Sequence, residues 1–258
     1  MNTQEATKSV TLLKENKANM VAAFHAMTNV AEEFAAVTID TPAGEFADLM
    51  QWAGGLLDVK VAAEQKSDHE VVYMDAADWA ALSTSQKSNY YLLGVRLRAE
   101  GQKFIVAPYE QSQKWASANV GVPGLANFGE GNTGIFRDVD GYANTQKILT
   151  YDDSTTTYTF PAAEACRNYV SENINGSRAE YYLGSIVQII MLYKYRSVLN
   201  TALNTIGATP LSTGSAWYWS STQYSSTGAW YMYFQTGSMY GIYGSKTNSY
   251  VVRPLAKC

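Results

Sequence analysis

Between residues 211 and 252, 11 of 42 positions are aromatic and a single one, Lys246, is charged. The same window holds nine Ser, five Thr and five Gly. A strand-rich core would be filled with alternating aliphatic residues, yet the larger aliphatic and Met positions are only Leu211, Met232, Met239, Ile242, Val251 and Val252. An ordinary surface would be charged. Tyr offers a broad amphipathic face at the cost of two χ angles, and Ser, Gly and Asn supply small adaptable polar contacts. Tyr and Trp also dominate binding hot spots. The window therefore divides into a frame and a display. Trp219, Trp230, Phe234 and Val252 are expected in the core, and Tyr224, Tyr231, Tyr233, Tyr240 and Tyr243 at the surface.

Charge is distributed as unevenly as aromaticity. The last acidic residue of the 258 is Glu180, and beyond it lie five cations: Lys194, Arg196, Lys246, Arg253 and Lys257. The net charge of −4 and a pI near 5.3 argue against a dedicated binder of nucleic acid or anionic membrane. Two cysteines, Cys166 and Cys258, cannot form a disulfide scaffold, and the sequence leaves a bond between them open. No apolar run reaches the roughly 18 residues of a membrane span. The first residues, MNTQEATKSVTLLKENK, lack the apolar segment of a secretory signal, so the expectation is no signal peptide and no membrane insertion.

Along the chain, Leu13, Met20, Phe24, Met27, Ala31 and Phe34 form an a/d-like stripe in a helix predicted over 5–37. Such a stripe suits either packing on the chain's own core or an oligomerising helix. A second short helix is expected over 43–53, closed by Gly54-Gly55, and a capped helical turn over 75–82. Residues 56–72 are ambiguous. GVRLRAEGQKFIVAP (94–108) reads as two strands about a Gly-containing turn. Residues 109–159 read as loop-rich, with Gly at 121, 124, 129, 131, 134 and 141. Helices are expected over 160–173, with Pro161 in the first turn, and over 185–206, capped by Ser185 and stopped by Gly207 and Pro210. Strand-like runs follow at 216–220, 229–235, 239–243 and 248–253. Antiparallel strands behind helices indicate an α+β fold.

Few motifs point to catalysis. Residues 129–134 fit GxGxxG, but neither flank supplies the strand before and helix after that a dinucleotide site needs. Asp138-Val139-Asp140-Gly141 resembles the start of a calcium loop, yet the twelfth position is Leu149 rather than an acid, which leaves only a structural cation within 109–159 open. His25 and His69 are expected to be solvated, Cys166 to be a small buried residue, and no GxSxG elbow occurs. The expectation is no enzyme, no cofactor and no metal site.

Taken together, YYLGSIVQIIMLYKYRSVLNTALNTIGATPLS, WYWSSTQYSSTGAWYMYF and SYVVRPL resemble the C-type-lectin-fold variable proteins diversified by retroelements in phages and bacteria, such as phage tail tropism determinants. They are also similar to lectin-fold domains of gut Bacteroidetes and their phages. The resemblance spans roughly 90–258. It implies a C-type-lectin-like domain there, with a variable region of about 215–252; the residue pattern before it gives an N-terminal helix over 1–40 and a connecting helical and strand region over 41–89. In such proteins adenines of a template are randomised on copying, so Asn-type codons become Tyr, Ser, Gly, Thr or Asp on a ligand-facing surface. Carried onto this chain, the frame is Trp219, Ser220, Ser221, Ala229, Trp230, Phe234, Arg253 and Pro254. The variable, ligand-binding positions are Trp217, Tyr224, Tyr231, Tyr233, Gln235, Tyr240, Tyr243, Ser245, Thr247 and Ser249.

This chain departs from the family where Leu183-Gly184-Ser185 replaces Leu-Pro-Ser and Val187-Gln188 replaces an acidic position. Carboxylates are absent beyond Glu180, so a calcium-bridged sugar site there is not expected. Nor do Cys166 and Cys258 match the cysteine pair of the related formylglycine-generating enzymes. What the resemblance implies is a non-enzymatic receptor-binding adhesin, on a phage tail or held in the cytoplasm before assembly. It would bind a cell-surface protein or glycan and form homo-oligomers, with a trimer favoured. A lectin-fold subunit with one fixed partner and no diversification is the other reading.

Overall fold

The computed structural model describes residues 57–129, 133–237 and 243–258. The helices expected over 5–37 and 43–53, residues 130–132 of the glycine motif, and Tyr240 lie outside the described residues. Nearly all of the described residues belong to one unit, Val59–Leu97 with Lys103–Cys258.

In chain order the elements are β1 (Asp58–Gln65), β2 (Val71–Met74), α1 (Ala76–Ala81), α2 (Thr84–Lys87), β3 (Tyr90–Ala99), β4 (Gln102–Val106), β5 (Gln111–Lys114) and a 3-10 turn (Thr133–Arg137). Then come α3 (Gly141–Ser154), α4 (Pro161–Arg167), α5 (Tyr169–Asn173), β6 (Tyr181–Leu183), α6 (Ile186–Lys194) and α7 (Arg196–Thr205). The chain closes with β7 (Trp217–Gln223), β8 (Gly228–Tyr233), β9 (Tyr243–Ser245), β10 (Ser249–Val252) and β11 (Pro254–Ala256). Two sheets result, a six-stranded one ordered β2-β1-β3-β4-β11-β6 and a five-stranded one ordered β5-β10-β7-β8-β9. This is an α+β arrangement.

Several boundaries differ from the sequence reading. Residues 58–74, ambiguous or part of a connecting region in sequence, form two strands of the six-stranded sheet. The 109–159 stretch is not wholly loop, because α3 spans 14 of its residues. That helix carries polar residues on most faces and opens with glycine, so no apolar period marks it. Its start is set by Asp140, whose carboxylate accepts the Ala143 amide at 2.9 Å. Glycine at 141 is required by packing, since a Cβ there would lie 2.4 Å from the Ser185 amide. The helix read over 160–173 breaks at Asn168, and the one over 185–206 breaks at Tyr195. Asp75 makes no side-chain cap and pairs with Lys60 at 2.8 Å. Ser185 does cap α6, in a reciprocal box with Gln188, whose Oε1 accepts the Ser185 amide at 3.0 Å. The neutral Gln188, where the resemblance led to an acid being expected, is therefore a capping partner.

The core lies between the sheets and α3, α4 and α6. One cluster joins Trp115, Phe160, Cys166, Ile148, Trp219 and Val252, and another joins Leu93, Ile105, Tyr169 and Tyr181. Helix α6 packs on β7 and β8, while α3 and α4 pack against β6. His69 is half-buried and paired rather than freely solvated. Its Nδ1 lies 2.5 Å from Glu64, whose carboxylate also accepts the Ser177 hydroxyl and the Arg178 amide at 3.0 Å. Burial alone would raise the Glu64 carboxyl. Its hydrogen bonds outweigh that and hold it below the usual carboxylate range.

The chain passes between the sheets four times, and two of these passages lie close together: after β4, through residues 107–110, and between β10 and β11, at Arg253. Arg253 is fully buried, and its Nη2 pairs with Glu110 at 2.7 Å. It also donates to the carbonyls of Ala107 at 2.8 Å, Pro108 at 3.2 Å and Thr209 at 2.9 Å. Removing one partner of a buried, hydrogen-bonded pair costs about 3–5 kcal/mol. Arg253→Met is therefore expected to lower the urea midpoint by the equivalent of about 3–5 kcal/mol. An unchanged midpoint would show that the crossing does not depend on this guanidinium.

Candidate ligand-binding face

In the five-stranded sheet, alternation sorts the aromatic residues onto two faces. Trp217 lies opposite Tyr233 and Trp219 opposite Tyr231 across β7 and β8. The parallel pairing of Val251 with Tyr218 sets Tyr250 beside Trp217. One face thus carries Trp217, Trp219, Tyr231, Tyr233 and Tyr250, with Gln113 of β5 opposite Tyr250. The other carries Tyr218, Ser220, Trp230 and Met232 and meets α6. There Tyr218 stacks on Phe234 at 3.9 Å, and Thr222 accepts the Ile186 amide at 2.9 Å.

Trp219 is the floor of the first face. It is fully buried, its Nε1–H donates to the Gln113 carbonyl on edge strand β5 at 3.1 Å, and its far end reaches Gly244 on the opposite edge strand. Edge strands of one five-stranded sheet can touch the same indole only if the sheet is rolled around it. Over Trp219 lie Tyr250, at 4.4 Å between ring centroids, and Tyr231, at 5.8 Å. Above them Trp217 is 43 % exposed, with its ring 4.9 Å from Tyr250 and 5.9 Å from both Tyr231 and Tyr233. Burial pushes the Tyr231 phenol up, with Tyr250 beside it adding to the shift. At one rim the Ser215 hydroxyl meets Tyr233 at 2.7 Å and Gln235 Oε1 at 3.0 Å, and Tyr233 also donates to that oxygen. At the other rim Asn248 donates to the Tyr250 hydroxyl at 2.9 Å.

The remaining positions drawn from the resemblance are not gathered there. Tyr243 lies opposite Trp230, on the second face, and stacks on Tyr224 at 3.6 Å with the rings nearly parallel. Tyr243 is 45 % exposed. Ser245 donates to Asn119 at 2.9 Å and meets Thr247 at 2.8 Å. Ser249 is exposed on the side of β10 away from Tyr250. The named positions therefore occupy two aromatic clusters and a polar loop rather than one patch. Those described are exposed or half-buried, whereas Trp219, Ser220, Ser221, Ala229, Trp230, Phe234, Arg253 and Pro254 are all buried. The sequence reading missed Tyr250, Ser215 and Asn248. Alternation back from the core residue Val252 was the signal that could have found Tyr250.

Lys246 sits beneath this region, fully buried. Its Nζ donates to Val120 O at 2.7 Å and Gln223 Oε1 at 2.5 Å, and lies 4.3 Å from the centre of the Trp115 ring. Among the described residues no carboxylate pairs with it. Desolvation lowers its pKa from 10.5 to about 7. Elsewhere, Asp138 receives the Asn144 amide at 2.8 Å, and with Asp140 serving as the α3 cap the supposed calcium loop is a helix start. Burial pushes the Asp138 carboxyl up. Among the described residues no three His, Cys, Asp or Glu side chains converge as a metal site. Cys166 is buried, Cys258 is exposed, and both are free thiols. Burial pushes the Cys166 thiol well up, away from nucleophile chemistry.

No protein-family model matches the chain, and no curated protein does. Among solved structures it is similar to a fimbrial protein from Bacteroides ovatus ATCC 8483, at 17 % identity and a TM-score of 0.49. The likeness covers 77 % of this chain and 43 % of that one, so the chain spans less than half the length of that protein.

Two outcomes follow from the rolled sheet. A Cβ on Gly244 would lie 2.9 Å from Tyr250 and 3.0 Å from Trp219 and Tyr231. Gly244→Ala is therefore expected to destabilise by about 1–3 kcal/mol and to change the near-UV circular dichroism of the stacked rings. A variant with wild-type stability and spectrum would mean the rings do not close on this strand. For Lys246, the unfolded chain holds a proton that the folded chain has lost between about pH 7 and 10.5. Stability is expected to rise with pH through that window. Thermal melts of Lys246→Met should lack this rise, and an identical pH slope in variant and wild type would refute it.

Proposed function

We propose that this chain is a non-enzymatic ligand-binding protein that presents the Trp217 face of a C-type-lectin-like domain to a cell-surface receptor, as a phage tail adhesin does. The observation that carries the reading is the stacking of half-exposed rings over a buried one. Trp217, Tyr231, Tyr233 and Tyr250 present their edges and faces outward, while Trp219 holds them from below. Rings held in this way lose little entropy when a ligand covers them, which is the property a recognition surface needs.

The separation of frame from display supports diversification of the displayed positions. Ser220 donates to the Trp230 carbonyl at 2.8 Å, Trp115 to the Ser220 carbonyl at 2.8 Å and Trp230 to the Phe128 carbonyl at 2.8 Å. The frame thus bonds largely to main chain, whose groups survive any change of side chain. Trp217, Gln235 and Ser249 take no part in those bonds. A homo-oligomer, with a trimer favoured, would multiply modest affinity at each site by presenting copies together. The a/d-like apolar stripe of residues 13–34 would mediate it.

Intact bacterial cells captured on the immobilised full-length protein provide the test. Trp217→Ala combined with Tyr233→Ala should reduce capture by about tenfold or more, equivalent to about 1.4 kcal/mol or more. The melting temperature should move by no more than about 3 °C, since a change of about 1 kcal/mol shifts a domain this large by about 2–4 °C. Undiminished capture, or a loss that tracks unfolding measured by circular dichroism, would overturn the assignment.

A further inference from the structure

We infer that the Trp217 face takes an uncharged saccharide, one sugar ring stacking on the indole without a bridging calcium ion; this rests on the reading of that face as a ligand-binding surface. Three features select this class. The first is size. Of the rings on this face only Trp217 is as much as 43 % exposed, while Tyr231, Tyr233 and Tyr250 are half-buried around it. The apolar target is about one indole wide, which matches the C–H face of a pyranose. A stable protein interface would need about 800 Å² from each partner.

The second feature is the hydrogen-bonding capacity left over at the rims. Gln235 Oε1 is occupied by Ser215 and Tyr233, which fixes the amide plane. Its two N–H donors have no partner among the described residues. On the far side of Trp217, Asn248 Nδ2 is used by Tyr250, which leaves its carbonyl oxygen as an acceptor. Trp217 Nε1–H likewise makes no hydrogen bond among the described residues. Oriented donors on one flank and an acceptor on the other, about an aromatic ring, suit hydroxyl groups that both donate and accept.

The third feature is charge. Every side chain that builds the face is uncharged. Lys114, next to Gln113, points to the opposite side of β5 with Ser249. Lys246 is buried and its ammonium is turned to Val120 and Gln223. Sialic, uronic or sulfated sugars would find no counter-charge here. A calcium ion would find no carboxylate on the face to hold it.

The test uses the full-length protein on an array of defined oligosaccharides, neutral and acidic, with the Trp fluorescence of hits titrated in solution. At least one neutral saccharide is expected to bind and shift the fluorescence, equally well with and without EDTA. Trp217→Ala should weaken it by tenfold or more, Trp217→Phe by less, and Gln235→Ala by severalfold with an unchanged melting temperature. Preference for acidic saccharides, abolition by EDTA, or no saccharide binding at all would overturn the inference. Capture of cells after periodate or protease treatment separates the two proposals. Loss only after protease, with Trp217→Ala still defective, rejects the saccharide and leaves the receptor-binding reading standing. Capture unaffected by Trp217→Ala rejects both.

Discussion

Two sheets that share one chain must be joined where the chain passes between them, and in this protein two of the four passages meet at Arg253. The residue lies 143 positions after Glu110. Yet its guanidinium binds that carboxylate and three backbone carbonyls, two of them in the strand-to-strand linker at Ala107 and Pro108. A planar group with five donors can do this; an ammonium could not span the same set. Tyr218 extends the link by donating to Glu110 at 3.0 Å while accepting the Ser212 amide at 2.9 Å. That tyrosine lies on the α6-facing side of β7, so the polar centre that joins the sheets also fixes the strand whose alternate residues form the aromatic face.

The aromatic face follows from that fixed strand. With Tyr218 directed inward, alternation sends Trp217 and Trp219 to the opposite side, and the rolled sheet decides their different fates. Trp219 lies where the edge strands converge and is sealed. Trp217, one pleat earlier, lies beyond the closure and stays half-exposed. Two residues of the same type, two positions apart and on one face, therefore become a sealed floor and a half-exposed ring above it. The register of β7 and β8 shifts between Trp219 and Gln223, an irregularity of the kind that bends a strand. There Gln223 turns inward to accept the Val122 amide at 3.0 Å and the Lys246 ammonium.

This geometry explains what could be read from the amino-acid sequence. The α+β character, the capping of α6 by Ser185, the hairpin about Glu100 and Gly101, and the burial of Trp219, Trp230, Phe234 and Val252 all depend on local pattern or on side chains with one energetically sensible place. Both hairpin residues have positive φ, 50° and 75°, as a tight strand-to-strand turn requires. The helix α3 was hidden because its burial is polar: Asn144, Thr145 and Asp152 lie inside it. Thr145 there accepts the Leu183 amide at 3.0 Å and donates to the Gly141 carbonyl at 2.7 Å. Such polar burial has no period for sequence to reveal. The division of the displayed tyrosines was equally hidden. Tyr231 and Tyr243 look alike in composition, but cross-strand register places them on different faces, and register depends on partners remote in sequence.

Charge placement is coherent with the same division. The last strands contain two buried cations and no acid of their own. Arg253 finds its counter-ion in an earlier part of the chain, and Lys246 finds only neutral acceptors and the face of Trp115. A buried ammonium without a carboxylate is costly. Here it anchors the loop between β9 and β10 to residue 120 and to Gln223, pulling together the strand ends that close over Trp219. Val120 and Gln223 take two of the ammonium's three N–H donors, and the Trp115 ring lies 4.3 Å away. The uncharged composition of the aromatic window is thus consistent both with a neutral contact surface and with the curvature that shapes it. The same restriction separates Trp217 and Ser249, which take no part in those bonds, from the residues whose hydrogen bonds hold the sheet in its roll.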